Sequence, residues 1–138
     1  MHIATNSSKF DISKEIDTAK IAKKVSKLIK VGDVLFFYGD IGVGKTTFIK
    51  YLINNLQKIN RSKLTEVTSP TFSIVNEYKL GNTKILHYDL YRIKDKKELK
   101  NIGLLENYEN ALLLIAVSYT HLRAHETSLH LVCRLLLE

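Results

Sequence analysis

At 138 residues, with 45% hydrophobic and 25% charged residues, the chain has ordinary globular composition and room for one domain with a core of its own. The longest apolar run, Ala111 to Val117, is far too short to span a bilayer, no charged segment followed by an apolar stretch opens the chain, and the lone Cys133 excludes an intrachain disulfide framework. A cytoplasmic protein with no membrane association is expected. The formal charge of +7 comes from lysines spread between Lys9 and Lys100 without a dense block, with arginine scarce, which argues against a dedicated nucleic-acid groove.

Taken in order, a polar start leads to Ser13, placed to cap a helix running to about Val31 and ended by Gly32. Ile16, Ala19, Ala22, Val25, Leu28 and Ile29 fall on one face and lysines largely on the other, so this helix is expected to cover a sheet. Val34-Leu35-Phe36-Phe37-Tyr38 is an apolar, aromatic-rich run of strand length. Directly after it stands Gly39-Asp40-Ile41-Gly42-Val43-Gly44-Lys45-Thr46, the Gly-x4-Gly-Lys-Thr spacing of a phosphate-binding P-loop. A loop that wraps phosphate oxygens must turn successive backbone N–H groups inward, which the glycines permit. Lys45 then supplies a point charge for the β- and γ-phosphates, and the Thr46 hydroxyl is the expected Mg²⁺ ligand. From Thr46 to about Lys58, the spacing of Phe48, Ile49, Leu52, Ile53 and Leu56 predicts an amphipathic helix whose N-terminus faces the phosphates.

Asn60 to Glu66 is polar and reads as a mobile connection. Val67-Thr68-Ser69-Pro70-Thr71-Phe72-Ser73 carries four hydroxyl side chains and the only proline. Two readings stand for it: a proline turn entering a strand, or a switch segment answering to the γ-phosphate and Mg²⁺. Gly81-Asn82 separates the strand-like runs Phe72 to Leu80 and Thr83 to Leu90 as a tight hairpin does. Alternation in the second run puts Ile85, His87 and Asp89 on one face and Leu86, Tyr88 and Leu90 on the other. His87 reads first as a hydrogen-bonded structural histidine, whereas Asp89 at a strand end is placed as a Mg²⁺ ligand. Asp95 to Ile102 is a short helical stretch interrupted by Gly103, and Ala111-Leu112-Leu113-Leu114-Ile115 reads as a buried strand. An acid commonly follows such a strand in P-loop sites; here the next residue is Ala116.

Together, the run from Gly39 to Phe48, Ser69-Pro70-Thr71-Phe72 followed by Tyr78, His87-Tyr88-Asp89-Leu90-Tyr91-Arg92, and Glu98-Leu99 ahead of Ile102-Gly103 resemble the TsaE (YjeE) family. That family is the ATPase component of the bacterial machinery that makes threonylcarbamoyladenosine beside the anticodon of tRNAs reading codons that begin with A. The resemblance covers about residues 10 to 115. It implies an α/β, P-loop NTPase-like fold with a central, largely parallel sheet and flanking helices, ATP hydrolysis, and partners among the proteins of the modification complex, with tRNA contact indirect. It implies nucleotide contacts from Gly39, Asp40, Gly42, Val43, Gly44, Lys45, Thr46 and Thr47, a switch role for Ser69, Pro70, Thr71 and Phe72, a metal site at Thr46 and Asp89, and catalytic roles for Lys45 and Asp89.

The family then has Glu-Trp-Pro, with the Glu on the water and metal, where this chain has Ala116-Val117-Ser118. All seventeen lysines lie at or before Lys100, the last asparagine is Asn110 and the last isoleucine Ile115, while the tail holds three of the five histidines. Ser118 to Thr127 resembles the translated adapter sequence that ends many unrelated metagenomic reading frames. The expectation is an ATPase domain over residues 1–115, a foreign tail over 116–138, and the family's last strands missing. Leu122, Leu129, Val132 and Leu136 have the spacing for a helix in that tail. His121, His125, His130 and Cys133 have types that suit Zn²⁺, but in such a tail they read as chance residues.

The sequence therefore predicts an MgATP-binding P-loop protein that binds nucleotide and hydrolyses it poorly. Two rivals remain: a small-molecule or nucleotide kinase, for which the four arginines Arg61, Arg92, Arg123 and Arg134 offer no clustered lid, and a nucleotide-dependent assembly protein without turnover. No Asn-Lys-x-Asp guanine-reading motif is present, which points to ATP.

Overall fold

A computed structural model of the chain describes residues 2–3, 14–38, 44–70, 73–91, 93, 96–101, 103, 110–117 and 132–137. In chain order the elements are β1 (His2–Ile3), α1 (Glu15–Ser26), β2 (Val34–Tyr38), α2 (Lys45–Ile59), β3 (Val75–Leu80), β4 (Thr83–Asp89), α3 (Lys96–Asn101), β5 (Ala111–Val117) and β6 (Val132–Leu137). Ser13, residues 39–43, Thr71, Phe72, Arg92, His121, His125 and His130 lie outside the described residues.

The strands form one sheet in the order β1-β6-β2-β5-β4-β3. Its middle is parallel, β2 and β4 both running beside β5 in the same direction. The parallel character is confined to these three strands. β3 pairs antiparallel with β4 because Gly81, at φ 61°, supplies the backbone conformation of a two-residue hairpin turn. β6 pairs antiparallel with both β2 and β1.

Burial follows from the central position of β5. Ala111 to Ile115 are each 0% exposed, as a strand covered on both faces requires. One cluster joins Leu35, Phe37, Ile85, Leu112, Leu114 and Ala116 to the apolar face of α2; the opposite face of the sheet gathers Val34, Leu86, Tyr88, Ala111, Leu113 and Ile115. The alternation read along β4 therefore holds, with Ile85 on the α2 side and Leu86 and Tyr88 on the other. All five apolar residues predicted for the inner face of α2 are buried, each contributing about 1.5–3 kcal/mol.

The expectations for the first helix are corrected. α1 stops at Ser26, five residues before Val31, and Lys14 is its N-cap residue. Gly32 does not end the helix; with φ 99° it sits in a turn closed by the Asp33 N–H donating to the Lys30 carbonyl, while the Asp33 carboxylate accepts the Lys30 N–H at 2.9 Å. The principal packing of α1 is with α2; of the face assigned to it, Ala22 and Ile29 are buried in the core and Val25 packs against it, Thr18 and Ser26 are buried too, and Ile16 and Leu28 are exposed. Glu15 fixes the pair by accepting the Tyr51 hydroxyl at 2.6 Å.

The connection from Asn60 to Glu66 is tethered. Gln57, fully buried, donates to Thr65 Oγ1 at 2.9 Å and to the Lys79 carbonyl, and accepts the Thr65 N–H. Ser62 adds a bond to the β3–β4 turn, its Oγ accepting the Gly81 N–H at 2.6 Å. β5 also runs past Ile115 to Val117, because Phe37, Tyr38 and Asp89 continue the ladder beside Ala116 and Val117. Residues 132–137 form a strand where the spacing suggested a helix: the free edge of β2 offers unpaired backbone groups, and Tyr38 to Val34 pair with Val132 to Leu136.

Candidate nucleotide site

The register brings three strand ends together. Asp89 lies opposite Ala116, Phe37 lies opposite the same Ala116 from the other side, and Tyr38 lies opposite Val117. β2, β4 and β5 thus end at one edge, the carboxyl edge where open α/β sheets bind ligands. β2 ends there at Tyr38, and the first turn of α2 meets the same edge through Lys45.

Gly44 precedes α2 with φ 98°, and the Phe48 N–H donates to its carbonyl at 2.9 Å as the first helical bond. The positive φ of Gly44 calls for glycine, and a Cβ there would meet nothing within 4 Å among the described residues. The first turn of α2 holds no acidic residue, leaving its N–H groups and the positive end of its dipole available to an anion. Lys45 reaches across the edge, its Nζ donating to the Val117 carbonyl at 3.3 Å. Thr46 is exposed and Thr47 half-buried on the same turn.

Asp89 is held from both sides. Its Oδ1 accepts the Tyr91 N–H at 2.9 Å and its Oδ2 accepts the Ser69 hydroxyl at 3.3 Å. Its own N–H donates to the Ile74 carbonyl, while the next residue, Leu90, bonds to the Ala116 carbonyl. The structure therefore joins Ser69 to Asp89 and places Lys45 at the end of β5. It shows no hydrogen bond between Thr46 and Asp89.

The donor chemistry nevertheless suits Mg²⁺. A carboxylate whose oxygens each accept one hydrogen bond keeps lone pairs for a cation, and the Thr46 hydroxyl is a second hard oxygen donor. No cluster of three or more His, Cys, Asp or Glu occurs among the described residues. Mg²⁺ commonly takes one or two protein oxygens and completes its octahedron with phosphate and water.

His87 shares the Asp89 face of β4 and is 1% exposed. Its Nδ1 has no hydrogen-bond partner among the described residues, and burial lowers its pKa to about 4 against the opposing pull of Asp89. The imidazole is neutral at pH 7, a core side chain behind the carboxylate rather than a charged participant.

Sequence reasoning passed over the support of Ser69. Asn76 Nδ2 donates to both the carbonyl and the Oγ1 of Thr68, and the Tyr78 hydroxyl accepts the Thr68 N–H at 3.3 Å. Ser73 donates to Asn76 Oδ1 at 3.1 Å. The Ile74 N–H returns to the Pro70 carbonyl at 2.8 Å. Ile74 itself sits at φ 70°, a left-handed conformation that costs a β-branched residue on the order of 1–3 kcal/mol. Tyr78 was visible as part of a motif; nothing in the local pattern signals Asn76 or the Ile74 backbone.

Comparison with known proteins places this geometry among relatives. A family model described as "Threonylcarbamoyl adenosine biosynthesis protein TsaE" matches residues 12–133, a span that continues past Ile115. Proteins described as "tRNA threonylcarbamoyladenosine biosynthesis protein TsaE" are similar to the chain. The one from Aquifex aeolicus is 43% identical over 92 residues, 67% of either chain. The Bacillus subtilis protein is 40% identical over 106 residues, 77% of this chain and 62% of that one. The Rickettsia felis protein is 36% identical over 104 residues, 75% and 58% respectively. The chain thus spans less than two thirds of the length of the last two. A crystal structure of Bacillus subtilis YdiB is similar with a TM-score of 0.52 and 26% identity, covering 88% of this chain and 77% of that one.

Proposed function

This chain belongs to the TsaE family, and from that premise we propose that it binds ATP with Mg²⁺ and serves tRNA threonylcarbamoyladenosine synthesis through protein partners in the cytoplasm. The observation that carries the reading is the meeting of Lys45, on the first turn of α2, with the end of β5, one residue beyond the register partner of Asp89. In this reading the N–H groups of Gly39, Asp40, Gly42, Val43 and Gly44 wrap the phosphates, and Lys45 holds the β- and γ-oxygens beside Thr46 and Thr47. Thr46 and Asp89 would hold the Mg²⁺, which when bound neutralises charge growing on the transferred phosphoryl group. Ser69, Pro70, Thr71 and Phe72 would answer to the γ-phosphate through the Ser69 contact to Asp89. No helix among the described residues is long and apolar enough to cross a membrane.

Turnover is proposed to be slow. Ala116 is buried beside Asp89 and carries no group able to orient a water. That same observation favours a second reading, in which nucleotide occupancy rather than hydrolysis controls assembly with partners. Titration with a fluorescent ATP analogue, with and without Mg²⁺, and phosphate release measured on the same protein test both. Mg²⁺-dependent binding with slow release supports the first reading; nucleotide-dependent complex formation with no release supports the second; absence of binding overturns both. Restoration of tRNA threonylcarbamoyladenosine in cells depleted of their own TsaE, measured by mass spectrometry of tRNA nucleosides, tests the pathway.

Residues 116–138 are read as a tail foreign to the domain of residues 1–115. Independent sequencing of the source gene through the Ile115 codon decides it. Glu-Trp-Pro at that point supports the reading, and a confirmed Ala-Val-Ser overturns it.

A further inference from the structure

The contacts around Thr68 form a chain that ends on Asp89. Asn76 and Tyr78 stand two residues apart on β3, hence on one face, opposite His87 and Ile85 of β4. The Tyr78 ring is buried in the cluster beneath α2, which fixes where its hydroxyl sits. That hydroxyl accepts the Thr68 N–H, while Asn76 Nδ2 takes the Thr68 carbonyl at 3.2 Å and its Oγ1 at 3.3 Å. Donor, carbonyl and side chain of one residue are therefore all engaged by two side chains of a regular strand. The next residue is Ser69, whose hydroxyl meets Asp89 Oδ2. On the other side of the loop, the Ile74 carbonyl takes the Asp89 N–H and the Ile74 N–H reaches Pro70.

A short polar loop carrying Ser69 has no fixed position of its own. Pinned at Thr68 to a strand, it has one. We propose that Asn76 and Tyr78 are positioning residues which, by clasping Thr68, hold the Ser69 hydroxyl against Asp89 and so set the affinity of the nucleotide-loaded site for a divalent cation. The proposal rests on the MgATP reading. Its physical basis is that the partner which orients a metal-binding carboxylate governs the metal affinity, and loss of such a partner commonly weakens binding by about 10- to 100-fold.

The test uses Tyr78→Phe, which removes the hydroxyl and keeps the buried ring, together with Ser69→Ala, Ser69→Thr and the double variant Ser69→Ala/Tyr78→Phe. Binding of a fluorescent ATP analogue is followed at a series of Mg²⁺ concentrations and in EDTA, and Mn²⁺ retention on the nucleotide complex is read by electron paramagnetic resonance. Tyr78→Phe and Ser69→Ala are each expected to raise the Mg²⁺ needed for half-maximal binding by about tenfold, and Tyr78→Phe is expected to leave affinity in EDTA within about twofold. Ser69→Thr keeps the hydroxyl and is expected to stay near wild type. Because Tyr78 acts through Ser69, the double variant should be no worse than Ser69→Ala alone. A merely structural Tyr78 would lower affinity equally with and without Mg²⁺, or add its effect to that of Ser69→Ala, and either result overturns the proposal. An unshifted Tyr78→Phe beside a Mg²⁺-dependent wild type overturns the proposal alone, whereas a wild type without Mg²⁺-dependent binding overturns the MgATP reading as well.

Discussion

The Lys45 ammonium donates to the carbonyl of Val117, 72 residues further along the chain, and so bridges the start of α2 and the end of β5. In the P-loop reading the same ammonium must turn to phosphate oxygens, which offer charge-assisted hydrogen bonds in place of a neutral one. Lys45→Met is therefore expected to weaken ATP binding at least tenfold, since each charged hydrogen bond is worth about 1.5–3 kcal/mol, while thermal stability falls little because one part-buried bond is lost. Calorimetric titration with MgATP beside a thermal melt checks both halves. Undiminished affinity in Lys45→Met would remove Lys45 from the site.

Ala116 stands in register with Asp89 and Phe37, in the interior of β5 and 5% exposed. Ala116→Glu would bring a second carboxylate beside Asp89 at the edge that Lys45 reaches. We expect it to raise phosphate release above that of Ala116→Val and to lower stability by about 1–3 kcal/mol, the cost of a polar group imperfectly compensated in a buried position. Steady-state phosphate release and urea unfolding of both variants are the measurements. Equal turnover in Ala116→Glu and Ala116→Val would show that the missing acid is not what limits hydrolysis.

What the sequence displayed well was periodic. Val34–Tyr38 ends where its apolar run ends, the inner face of α2 is the one its spacing marks, and the hairpin turns at Gly81. Asp89 could be placed because alternation in β4 survives burial on both faces. What stayed hidden depends on distant partners. Whether Asn60 to Glu66 moves is decided by Gln57 and Lys79, which meet only after β3 docks. The apolar face assigned to α1 holds at Ala22, Val25 and Ile29, which pack in the core beneath α2, but Thr18 and Ser26 are buried as well and Ile16 and Leu28 are left outside. Val132–Leu137 became a strand because β2 had an edge to pair, a fact about the sheet and not about the segment.

Gln57 offers a direct test of the tethered connection. Its side chain is 0% exposed and serves the N–H and Oγ1 of Thr65 and the Lys79 carbonyl. Gln57→Leu keeps much of the volume but leaves those groups without their partner. A loss of about 1 kcal/mol is expected, because Thr65 and Lys79 are exposed and their freed groups can turn to water, so what is lost is the net worth of the hydrogen bonds, about 0.5–1.5 kcal/mol for a typical one. Amide hydrogen exchange should rise at Thr65 in the variant. Unchanged exchange there together with unchanged stability would mean the connection is held by something other than Gln57.

His87 should make the fold acid-sensitive. Burial lowers its pKa from 6.5 to about 4, so between these values the unfolded chain takes up a proton that the folded chain refuses. Its contribution is present in full above pH 6.5, declines as pH falls, and is gone by about pH 4, where both states are protonated. The whole interval corresponds to about 3 kcal/mol. Carboxylates titrate in the lower part of the same range, so wild type alone does not isolate the histidine. His87→Leu does: it removes the titrating group and also the Nδ1 that has no partner among the described residues. Urea unfolding at pH 7.5, 6.5, 5.5 and 4.5 should show the wild type losing stability faster than His87→Leu on the way down, with the largest divergence between pH 6.5 and 4.5. Parallel curves for the two proteins would show that His87 takes up its proton in the folded state at an ordinary pH, and that its burial does not govern its charge.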